Sequence, residues 1–526
     1  MDRKILLTNL REFSEAPLFT VGRLLQSAAA HGKITVRNAA FGGKKEQGKM
    51  IGWMIAALIA AFLAVVLVRT LRFTPKEQAA VSQTEEVFDR DRAVENLRAL
   101  VRCKTVSYTD ASKEDDAEFE KLIALLPGLY PHVYEKCTLQ RLPDRGLLYR
   151  WEGRAHDAPA VMMAHYDVVP VVEENWDCPA FEAILKDGIV WGRGTLDTKV
   201  TFGGVLFAAD HLIAEGFVPE NDIYFAFSGG EEISGPGAVH IVDWFKKNSI
   251  TPALVVDEGG AVVEGVFPGV KEPCALIGIA EKGIVNVAYE ALSGGGHASA
   301  PRPGTPLPLL AEACCRIEKH PFPFRITKPV AEMFDTLGRH SSFVYRMIFA
   351  NLWCFGGVLD MICKKNGGEL NALTRTTVAF TQAEGSVAMN VIPPRAGMVT
   401  NIRINPAETV ESVLEGLKKR IGDERVTLKA IESTQPSPIS QTGCAAYDKV
   451  AAAVAGTWRG SLVSPYLMIQ CSDSRHYRDL SDHVYRFSAM DLTTEERATI
   501  HGNNEHIRVE TVARACEFYI RLMRQC

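Results

Sequence analysis

Short apolar runs alternate with longer stretches of helical periodicity along most of the chain. Three of these runs are apolar on both faces and short enough for buried strands: residues 160–164 (AVMMA), 223–227 (IYFAF) and 253–256 (ALVV). Helical patterns cover residues 198–215 and 237–247, and an amphipathic helix is predicted over 84–102. Doubly apolar strands separated by helices are typical of a parallel sheet covered by helices on both sides.

The order of elements changes between residues 284 and 432. Strand patterns occur at 284–292, 376–382, 397–404 and 425–431, and helical patterns at 306–318 and 409–421. Apart from a helical insert at 321–370 rich in Phe, Trp and Met, the order is β-α-β-β-α-β, which predicts a ferredoxin-like α+β domain. The α/β pattern resumes at 433 and ends with an amphipathic helix over 509–523. We therefore expect one α/β domain, in two parts at 80–283 and 433–526, interrupted by a smaller domain at 284–432.

One segment near the N-terminus departs from the pattern of a soluble protein. Residues 51–68 are 18 consecutive residues without a charge, at the short end of what a membrane-spanning helix needs. A buried core helix and a cleaved signal peptide are the alternatives. We predict a transmembrane anchor over 50–71, preceded by an arm at 1–49 without strong periodicity. The flanking basic residues mildly favour a cytoplasmic N-terminus and a catalytic part outside the cytoplasm.

Composition narrows the class of protein without identifying its chemistry. Hydrophobic residues make up 47% and charged residues 23% of 526 residues, which excludes a disordered chain and a multi-spanning membrane protein. Lys and Arg number 58 and Asp and Glu 63, a net charge of −5, so nucleic-acid binding through a global basic field is not expected. The 12 cysteines are scattered and form no CxxC pair, so no small disulfide-rich module is expected.

Residues of the types that bind metals follow the predicted parallel strands, where ligands of open α/β sheets usually bind. His165 and Asp167 follow the first strand, Glu231 and Glu232 the second, and Asp257 and Glu258 the third. Asp197 lies just before a predicted helix, and His501 lies in a loop near the C-terminus. Each motif alone is ordinary, but their coincidence at successive strand ends indicates one site. Two histidines with several carboxylates suit zinc or a similar divalent ion, and a central carboxylate suits two ions that share a bridge.

Seven motifs in order along the chain extend this interpretation: MMAHYDVVP, WGRGTLDTK, SGGEE, VVDEGG, GGGHASAP, MNVIPP and IHGNNE. Over about residues 85–526 the chain resembles the M20 metallopeptidase family, and most closely its carboxypeptidase S branch, which includes N-fatty-acyl-amino-acid hydrolases. The resemblance implies a zinc-peptidase catalytic domain with a mostly parallel sheet, interrupted by a ferredoxin-like lid and dimerisation domain. A homodimer through that lid domain is a further expectation.

The resemblance implies two divalent ions, with zinc as the expected metal. The family's ligand positions correspond to His165 for one ion, Asp197 as the bridge, Glu232 and His501 for the other ion, and Asp257 or Glu258 as the fifth ligand. The family pattern favours Glu258, whereas strand-end geometry leaves both residues open. The family also has a cis peptide after its bridging aspartate, which corresponds here to the bond between Asp197 and Thr198.

Two further carboxylates are assigned catalytic roles. Asp167 lies two residues beyond His165, on the same side of an extended chain, where it can accept the second imidazole N–H. Glu231 is the predicted general base, because a water between two divalent ions has a lowered pKa and loses its proton to a nearby carboxylate. The base must stay unligated, so the adjacent Glu231 and Glu232 are expected to take different roles.

Four residues are candidates for substrate binding. In the family, the histidine that corresponds to His297 reaches an active site, often that of the partner subunit, and stabilises the developing oxyanion. Asn390 and Arg403, on strands of the inserted domain, and Arg475 in SDSR are candidates for binding a substrate carboxylate.

The predicted function is a metal-dependent hydrolase that cleaves an amide bond next to a free carboxylate. A carboxypeptidase or dipeptidase acting on small peptides is the first expectation, and an amidohydrolase of N-acyl amino acids is the alternative. A non-catalytic binding protein on the same fold is the rival from a different class. The aromatic insert at 321–370 has three interpretations: core packing, an apolar acyl pocket, or contact with the membrane.

Overall fold

A computed structural model describes residues 43–76 and 84–526 of the chain. Most of the predicted N-terminal arm, residues 1–42, lies outside the described residues. The first helix, α1, spans Gly43–Arg72, so it begins several residues before the predicted anchor. Within it, Lys49–Arg72 is long and apolar enough to cross a membrane, a property that a signal sequence shares. Residues 68–526 form one compact unit.

Among the described residues of the folded unit, three helices precede the first strand and four belong to the insert. In chain order they are α2 (Arg90–Val101), α3 (Asp116–Leu129), α4 (Pro131–Lys136), α5 (Lys199–Ala214), α6 (Gly237–Lys247), α7 (Pro306–Lys319), α8 (Lys328–His340), α9 (Phe343–Ala350), α10 (Leu352–Asn366), α11 (Gly368–Thr374), α12 (Val410–Ile421), α13 (Ala445–Thr457), α14 (Thr494–Arg497) and α15 (Val509–Met523).

The strands belong to two larger sheets and two small ones. In chain order they are β1 (Thr138–Leu142), β2 (Gly146–Trp151), β3 (Ala155–His165), β4 (Ile184–Lys186), β5 (Ile189–Trp191), β6 (Asn221–Ser228), β7 (Leu254–Val263), β8 (Cys274–Glu281), β9 (Gly283–Leu292), β10 (Gly296–His297), β11 (Thr377–Glu384), β12 (Val391–Ile392), β13 (Arg395–Ile404), β14 (Val426–Thr434), β15 (Leu462–Met468), β16 (Val484–Leu492) and β17 (His506–Arg508).

The central sheet has eight strands in the order β1-β2-β6-β3-β7-β16-β8-β15. Its four middle strands, β6, β3, β7 and β16, run parallel to one another. The hairpin of β1 and β2 adds antiparallel strands at one edge, and β8 with β15 reverses direction at the other. The predicted α/β fold with a largely parallel sheet is confirmed.

A second sheet has four antiparallel strands in the order β11-β13-β9-β14. Helices α7 and α12 cover it, and its core is separate from that of the central sheet, with Val287, Ile317, Ile402 and Leu417 fully or almost fully buried. In chain order these elements are β9-α7-β11-β13-α12-β14, the βαββαβ order that the sequence predicts for the inserted domain. Along the chain this domain occupies the interruption between β8 and β15.

The helical insert packs against the core of the central sheet, although it is embedded in the sequence of the second domain. Phe334 of α8 and Phe349 of α9 pack against Phe267 and against each other, at ring-centroid distances of 4.8–5.9 Å in edge-on and tilted arrangements. Leu359 of α10 is buried in the same core. The insert is therefore an addition to the core of the central sheet, and it extends to Thr374, four residues beyond the predicted end.

The predicted helix over 84–102 is too long at its N-terminal end. Helix α2 begins at Arg90 because the Asp89 side chain accepts the Arg92 N–H at 3.0 Å and caps the first turn. Val87, an apolar residue inside the predicted helix, is 85% exposed. Asp89, a residue type favoured at helix N-caps, marks the true start of the helix more accurately than the apolar periodicity does.

The predicted third strand, residues 253–256, is too short at its C-terminal end. Strand β7 continues to Val263, and its pairing with β16 jumps from Asp257 opposite Arg486 to Gly260 opposite Phe487. Glu258 and Gly259 therefore form a bulge. A Cβ on Gly260 would lie 1.8 Å from the Leu276 carbonyl oxygen, so only glycine allows the strands to approach there.

Candidate metal centre

The strands bring the candidate ligands to one edge of the central sheet. His165, the last residue of β3, pairs with Ser228, the last residue of the parallel strand β6. Glu231 and Glu232 follow Ser228 in a short 3₁₀ turn, so the chain reverses directly above the strand ends. The bulge in the neighbouring β7 turns Glu258 toward the same edge. Parallel pairing thus assembles residues that are widely separated in sequence.

Asp197 lies between two groups of ligands and directs one oxygen at each. Its Oδ1 lies 3.0 Å from His165 Nε2, and Glu258 Oε1 lies 3.5 Å from the same nitrogen. Its Oδ2 lies 2.9 Å from His501 Nε2, which also lies 3.1 Å from Glu232 Oε2. In each group the potential ligand atoms lie within 4.8 Å of one another. One shared carboxylate between two nitrogen- and oxygen-rich groups is the donor set of a dinuclear centre.

The two residues that the sequence left open as the fifth ligand have different surroundings. Glu258 belongs to the group with His165 and Asp197. Asp257 is buried and its Oδ2 accepts the Ser474 N–H at 2.8 Å, outside both groups. Of the pair, only Glu258 has an oxygen grouped with potential ligand atoms of other residues. The peptide bond between Asp197 and Thr198 is cis.

Asp167 connects the histidine of one group to the glutamates of the site. Its Oδ1 lies 3.3 Å from His165 Nδ1, and its carbonyl oxygen lies 3.1 Å from the same nitrogen. Its two carboxylate oxygens also accept the backbone N–H groups of Glu231 and Glu232, at 3.2 Å each. Ser107 Oγ donates a further bond at 2.7 Å. A fully buried aspartate thus orients the imidazole and the turn that carries both glutamates.

The clustered carboxylates of the site stabilise positive charge on the groups between them. Hydrogen bonds to Asp197 and Glu232 raise the pKa of His501 to about 10. Burial opposes protonation of His165, but the charge of Glu258 and the neighbouring aspartates outweighs it and raises the pKa of this imidazole. The pKa values of both histidines rise because four carboxylates converge here, and the same negative charge would attract divalent cations. The donor set therefore fits two cations.

Glu231 lies at the site but outside both ligand groups. Burial, reinforced by the charge of Asp473, raises the pKa of the Glu231 carboxyl well above its usual range. Its Oε1 lies 3.9 Å from Arg475 Nη1, and that guanidinium also lies 3.8 Å from Asp473 Oδ1. A buried, unligated carboxyl with a raised pKa has the properties of a group that takes and returns a proton.

The candidate substrate residues fall into two places. Arg475 lies beside Glu231, and Arg403 directs its Nη1 to Cys471 Sγ at 3.4 Å, in the same segment that carries Arg475. His297, on β10, and Asn390 are exposed and adjoin one another, and the Ala298 N–H donates to the Asn390 carbonyl at 3.0 Å. Asn390 lies in the turn directly before β12 and not on a strand as predicted. Neither of these two residues belongs to a ligand group.

Known proteins match most of the chain. Peptidase family M20/M25/M40 matches residues 161–525, well over half of the sequence. The chain belongs to the M20 peptidase family. It is 34% identical over 490 residues to the N-fatty-acyl-amino acid synthase/hydrolase PM20D1 of Xenopus tropicalis, covering 89% of this chain and 95% of that protein. It is 30% identical to the probable carboxypeptidase S-like 2 of Dictyostelium discoideum, covering 92% and 95%.

Solved M20 structures share the fold. An M20 metallo-carboxypeptidase of Sulfolobus solfataricus aligns with a TM-score of 0.61 at 17% identity, covering 82% of this chain and 98% of that one. Human carnosine dipeptidase 1 aligns with a TM-score of 0.57 at 13% identity, covering 83% and 96%. The predicted family, fold and enzyme class are confirmed: the chain is an M20-type hydrolase.

The residue that holds the loop carrying Asp197 in place was not identified from the sequence. Glu505, fully buried, accepts the N–H groups of Leu196 at 2.7 Å and Asp197 at 3.2 Å, and its carboxylate pairs with the buried Arg193. Pairing of β17 with β5 brings this glutamate against the loop. Arg193 lies in the motif WGRGTLDTK and Glu505 in IHGNNE, and their place in these motifs was the only sequence feature that pointed to them.

We expect Glu505→Gln to destabilise the M20 fold without touching a ligand. Glutamine removes the charge that Arg193 needs, and an unpaired buried guanidinium costs about 3–5 kcal/mol. Urea unfolding should show this loss in the free energy of unfolding, whereas Glu495→Gln, at an exposed position nearby in sequence, should stay within about 0.5 kcal/mol of the parent. Equal stability of the two variants would contradict the structural role of Glu505.

Proposed function

We propose that the chain is a metal-dependent hydrolase that cleaves an amide bond next to a free carboxylate, with Glu231 as general base and two zinc ions as cofactors. The observation that carries this proposal is Asp197, whose two oxygens face two separate groups of ligands. His165 and Glu258 would hold one ion, and Glu232 and His501 the other. When bound, the two ions supply Lewis acidity that polarises the scissile carbonyl and lowers the pKa of the attacking water.

The residues of the chain handle the proton. Glu231 takes a proton from the attacking water while the oxygen of that water bonds to the carbonyl carbon. The same carboxyl then gives this proton to the amide nitrogen as the carbon–nitrogen bond breaks, so that a carboxylic acid and an amine are released, and the acid loses its own proton to solvent. Asp167 fixes the position of this carboxyl through the backbone of the turn, because its Oδ1 accepts the Glu231 N–H at 3.2 Å. We propose that Asp167 also keeps the His165 imidazole in the tautomer that binds metal through Nε2.

Basic and polar residues are proposed to bind the carboxylate and oxyanion of the substrate. Arg475 lies beside Glu231, and Arg403 lies against the segment that carries Arg475, so both can offer guanidinium groups on one side of the base. His297 and Asn390 stand on an exposed edge of the inserted domain. An exposed edge is suited to reaching the active site of a second copy, and we propose a homodimer formed through this lid domain.

Two substrate classes fit the same chemistry. The first is a peptide cleaved from its C-terminus, supported by the name of the carboxypeptidase S-like relative. The second is an N-acyl amino acid, supported by the relative at 34% identity that is named for N-fatty-acyl amino acids. Both classes place a free carboxylate next to the scissile amide, so the arginines serve either one.

A direct comparison of substrates tests the choice between the two classes. We expect the purified, metal-loaded protein to hydrolyse Gly-Leu and a blocked dipeptide, with N-oleoyl-Phe measured alongside and the released amines quantified by mass spectrometry. Turnover of the acyl substrate alone would reject the peptidase and select the acylase. Turnover of neither would reject the proposed reaction.

The role of Arg475 in binding the substrate carboxylate is tested separately. Arg475→Lys should raise KM by about ten-fold or more, because lysine cannot form the paired hydrogen bonds of a guanidinium to a carboxylate.

The apolar helix is proposed to be a retained membrane anchor with the catalytic domain outside the cytoplasm. Lys49–Arg72 provides 24 residues, enough to cross about 30 Å of hydrocarbon. Arg69 and Arg72 lie in its last turn. Retention in the pellet after alkaline carbonate extraction, together with protection of an N-terminal tag from external protease, is the expected result.

A further inference from the structure

The helical insert exposes an apolar surface that the hydrolase site does not use. On α10 the exposed apolar side chains share one face, at Trp353, Val358, Met361 and Ile362. The opposite face, with Leu359 and Cys363, is buried in the core of the central sheet. Residues spaced four apart on a helix lie on the same side, so Trp353 and Met361 line up two turns apart.

The neighbouring helix α9 adds to this surface. Its first turn exposes Phe343, Val344 and Tyr345 in succession. Helices α9 and α10 meet at Ala350 and Asn351 with a bend of 114°. We call the exposed side chains of the two helices, 343–345 on α9 and 353, 358, 361 and 362 on α10, the insert face. Trp353 and Met361 are 59% and 63% exposed, well beyond what core packing explains.

The junction of the two helices is bound to the chain directly after the apolar run of α1. Arg69 Nε donates to the Ala350 carbonyl at 3.2 Å, and Asn351 Nδ2 donates to Thr70 Oγ1 at 3.2 Å. Both Thr70 and Asn351 are fully buried. The insert is therefore fixed to residues that immediately follow the apolar run 51–68 in sequence.

Further contacts hold the segment that leaves the helix. Lys76 Nζ lies 2.7 Å from Asp335 Oδ2, and Arg339 Nη1 donates to the Thr74 carbonyl at 3.0 Å. The Arg339 guanidinium also stacks over the Phe73 ring at 4.3 Å. Contacts from Arg69 to Lys76 leave the insert little freedom to move away from the end of α1.

We infer that the insert face is a second membrane contact, which lies in the interfacial region of the lipid bilayer beside the point where the chain leaves it. This inference rests on the proposed anchor. Tryptophan and tyrosine beside aliphatic side chains form the composition that membrane interfaces favour. Helices of 8 and 15 residues reach about 12 and 22 Å, too short to span about 30 Å of hydrocarbon, so the face lies along the bilayer.

A bilayer explains the surface better than a second copy of the chain. The insert that carries the face is bound to residues 69–74, which directly follow the apolar run of α1. Its polar end is Lys364 and Lys365, the last charged residues of α10, where a cation can reach lipid phosphates. Lys364 is paired with Asp360 at 2.7 Å. The arrangement would hold the catalytic domain against the membrane and restrict its rotation about the anchor.

Site-specific photo-crosslinking tests the inference in the full-length, metal-loaded protein. Benzoylphenylalanine replaces Met361, or Trp353 as a second position, and the protein is reconstituted in vesicles of alkyne-labelled phosphatidylcholine with phosphatidylglycerol. Leu58 in the apolar run is the positive control, and Ile431, 61% exposed on β14, is the matched negative control. Retained hydrolase activity reports that each variant is folded.

We expect lipid adducts at Leu58 and Met361, each several-fold above the yield at Ile431. Adducts at Leu58 with Met361 and Trp353 at the level of Ile431 would overturn the inference and leave the anchor intact. Background yield at Leu58 as well would overturn the anchor and the inference together. An adduct of twice the protein mass at Met361, with no lipid attached, would overturn the bilayer in favour of a second copy.

Discussion

Replacing Glu231 by glutamine is expected to lower kcat by about 10²–10⁴-fold, the usual effect of removing a general base. Glutamine keeps the size of the side chain and its place in the turn held by Asp167, but it cannot take the proton of the attacking water. The carboxyl belongs to neither ligand group, so both ions should stay bound. Steady-state rates together with metal analysis by mass spectrometry measure the two quantities on one sample.

Two comparisons make this prediction specific to the base. Glu424→Gln, at an exposed position of the inserted domain, removes the same charge and should leave kcat unchanged. KM should change little in Glu231→Gln, because the substrate carboxylate is bound by other side chains. A variant with wild-type kcat would exclude Glu231 as the base, and a variant that has lost its metal would reassign it as a ligand.

The predictable part of this molecule is the part governed by short-range pattern and strand direction. His165 directly follows one apolar run, and Glu231 lies shortly after the next. These positions predict that the two residues lie close together, because parallel strands present their carboxyl ends at one edge. The β-α-β-β-α-β order of the inserted domain could be predicted from periodicity alone. Both depend on residues that lie close together in sequence or on rules that hold for every parallel sheet.

The remainder depends on contacts between distant segments. The bulge at Glu258 arises because β16 pairs across Asp257 and Gly260, and no local pattern around 257–260 reports the partner strand. The burial of Glu505 likewise results from pairing of β17 with β5, more than 300 residues apart in sequence. A buried carboxylate and an exposed one have the same letter in a sequence.

The insert shows the same limit from the opposite direction. Its aromatic composition allowed core packing, an acyl pocket and membrane contact, and the structure divides the residues among two environments. Phe349 and Leu359 are buried in the core of the central sheet, whereas Phe343, Trp353 and Met361 are exposed. Composition identifies apolar residues but not the face of the helix on which each one lies, which is decided by the segments it packs against.

Replacing Asp197 by asparagine is expected to abolish activity by loss of metal, in contrast to the loss of the base alone. The two oxygens of Asp197 lie 3.0 Å from His165 Nε2 and 2.9 Å from His501 Nε2, one facing each ligand group. An amide offers an oxygen to one group and an N–H donor to the other, and it removes the negative charge between two cations. Metal affinity should fall by more than about 100-fold, beyond the 10–100-fold typical of losing an outer hydrogen-bond partner.

The fold should survive this change, because the loop is held through its backbone. Glu505 accepts the Asp197 N–H at 3.2 Å and the Leu196 N–H at 2.7 Å, and neither bond involves the Asp197 side chain. Asp187→Asn in the exposed turn between β4 and β5 is the matched control and should keep full metal content. After chelation, added Zn²⁺ should restore the parent and the control but not Asp197→Asn. Restoration of all three at the same Zn²⁺ concentration would mean that Asp197 does not bridge two ions, because a bridging carboxylate cannot be replaced by an amide without loss of affinity.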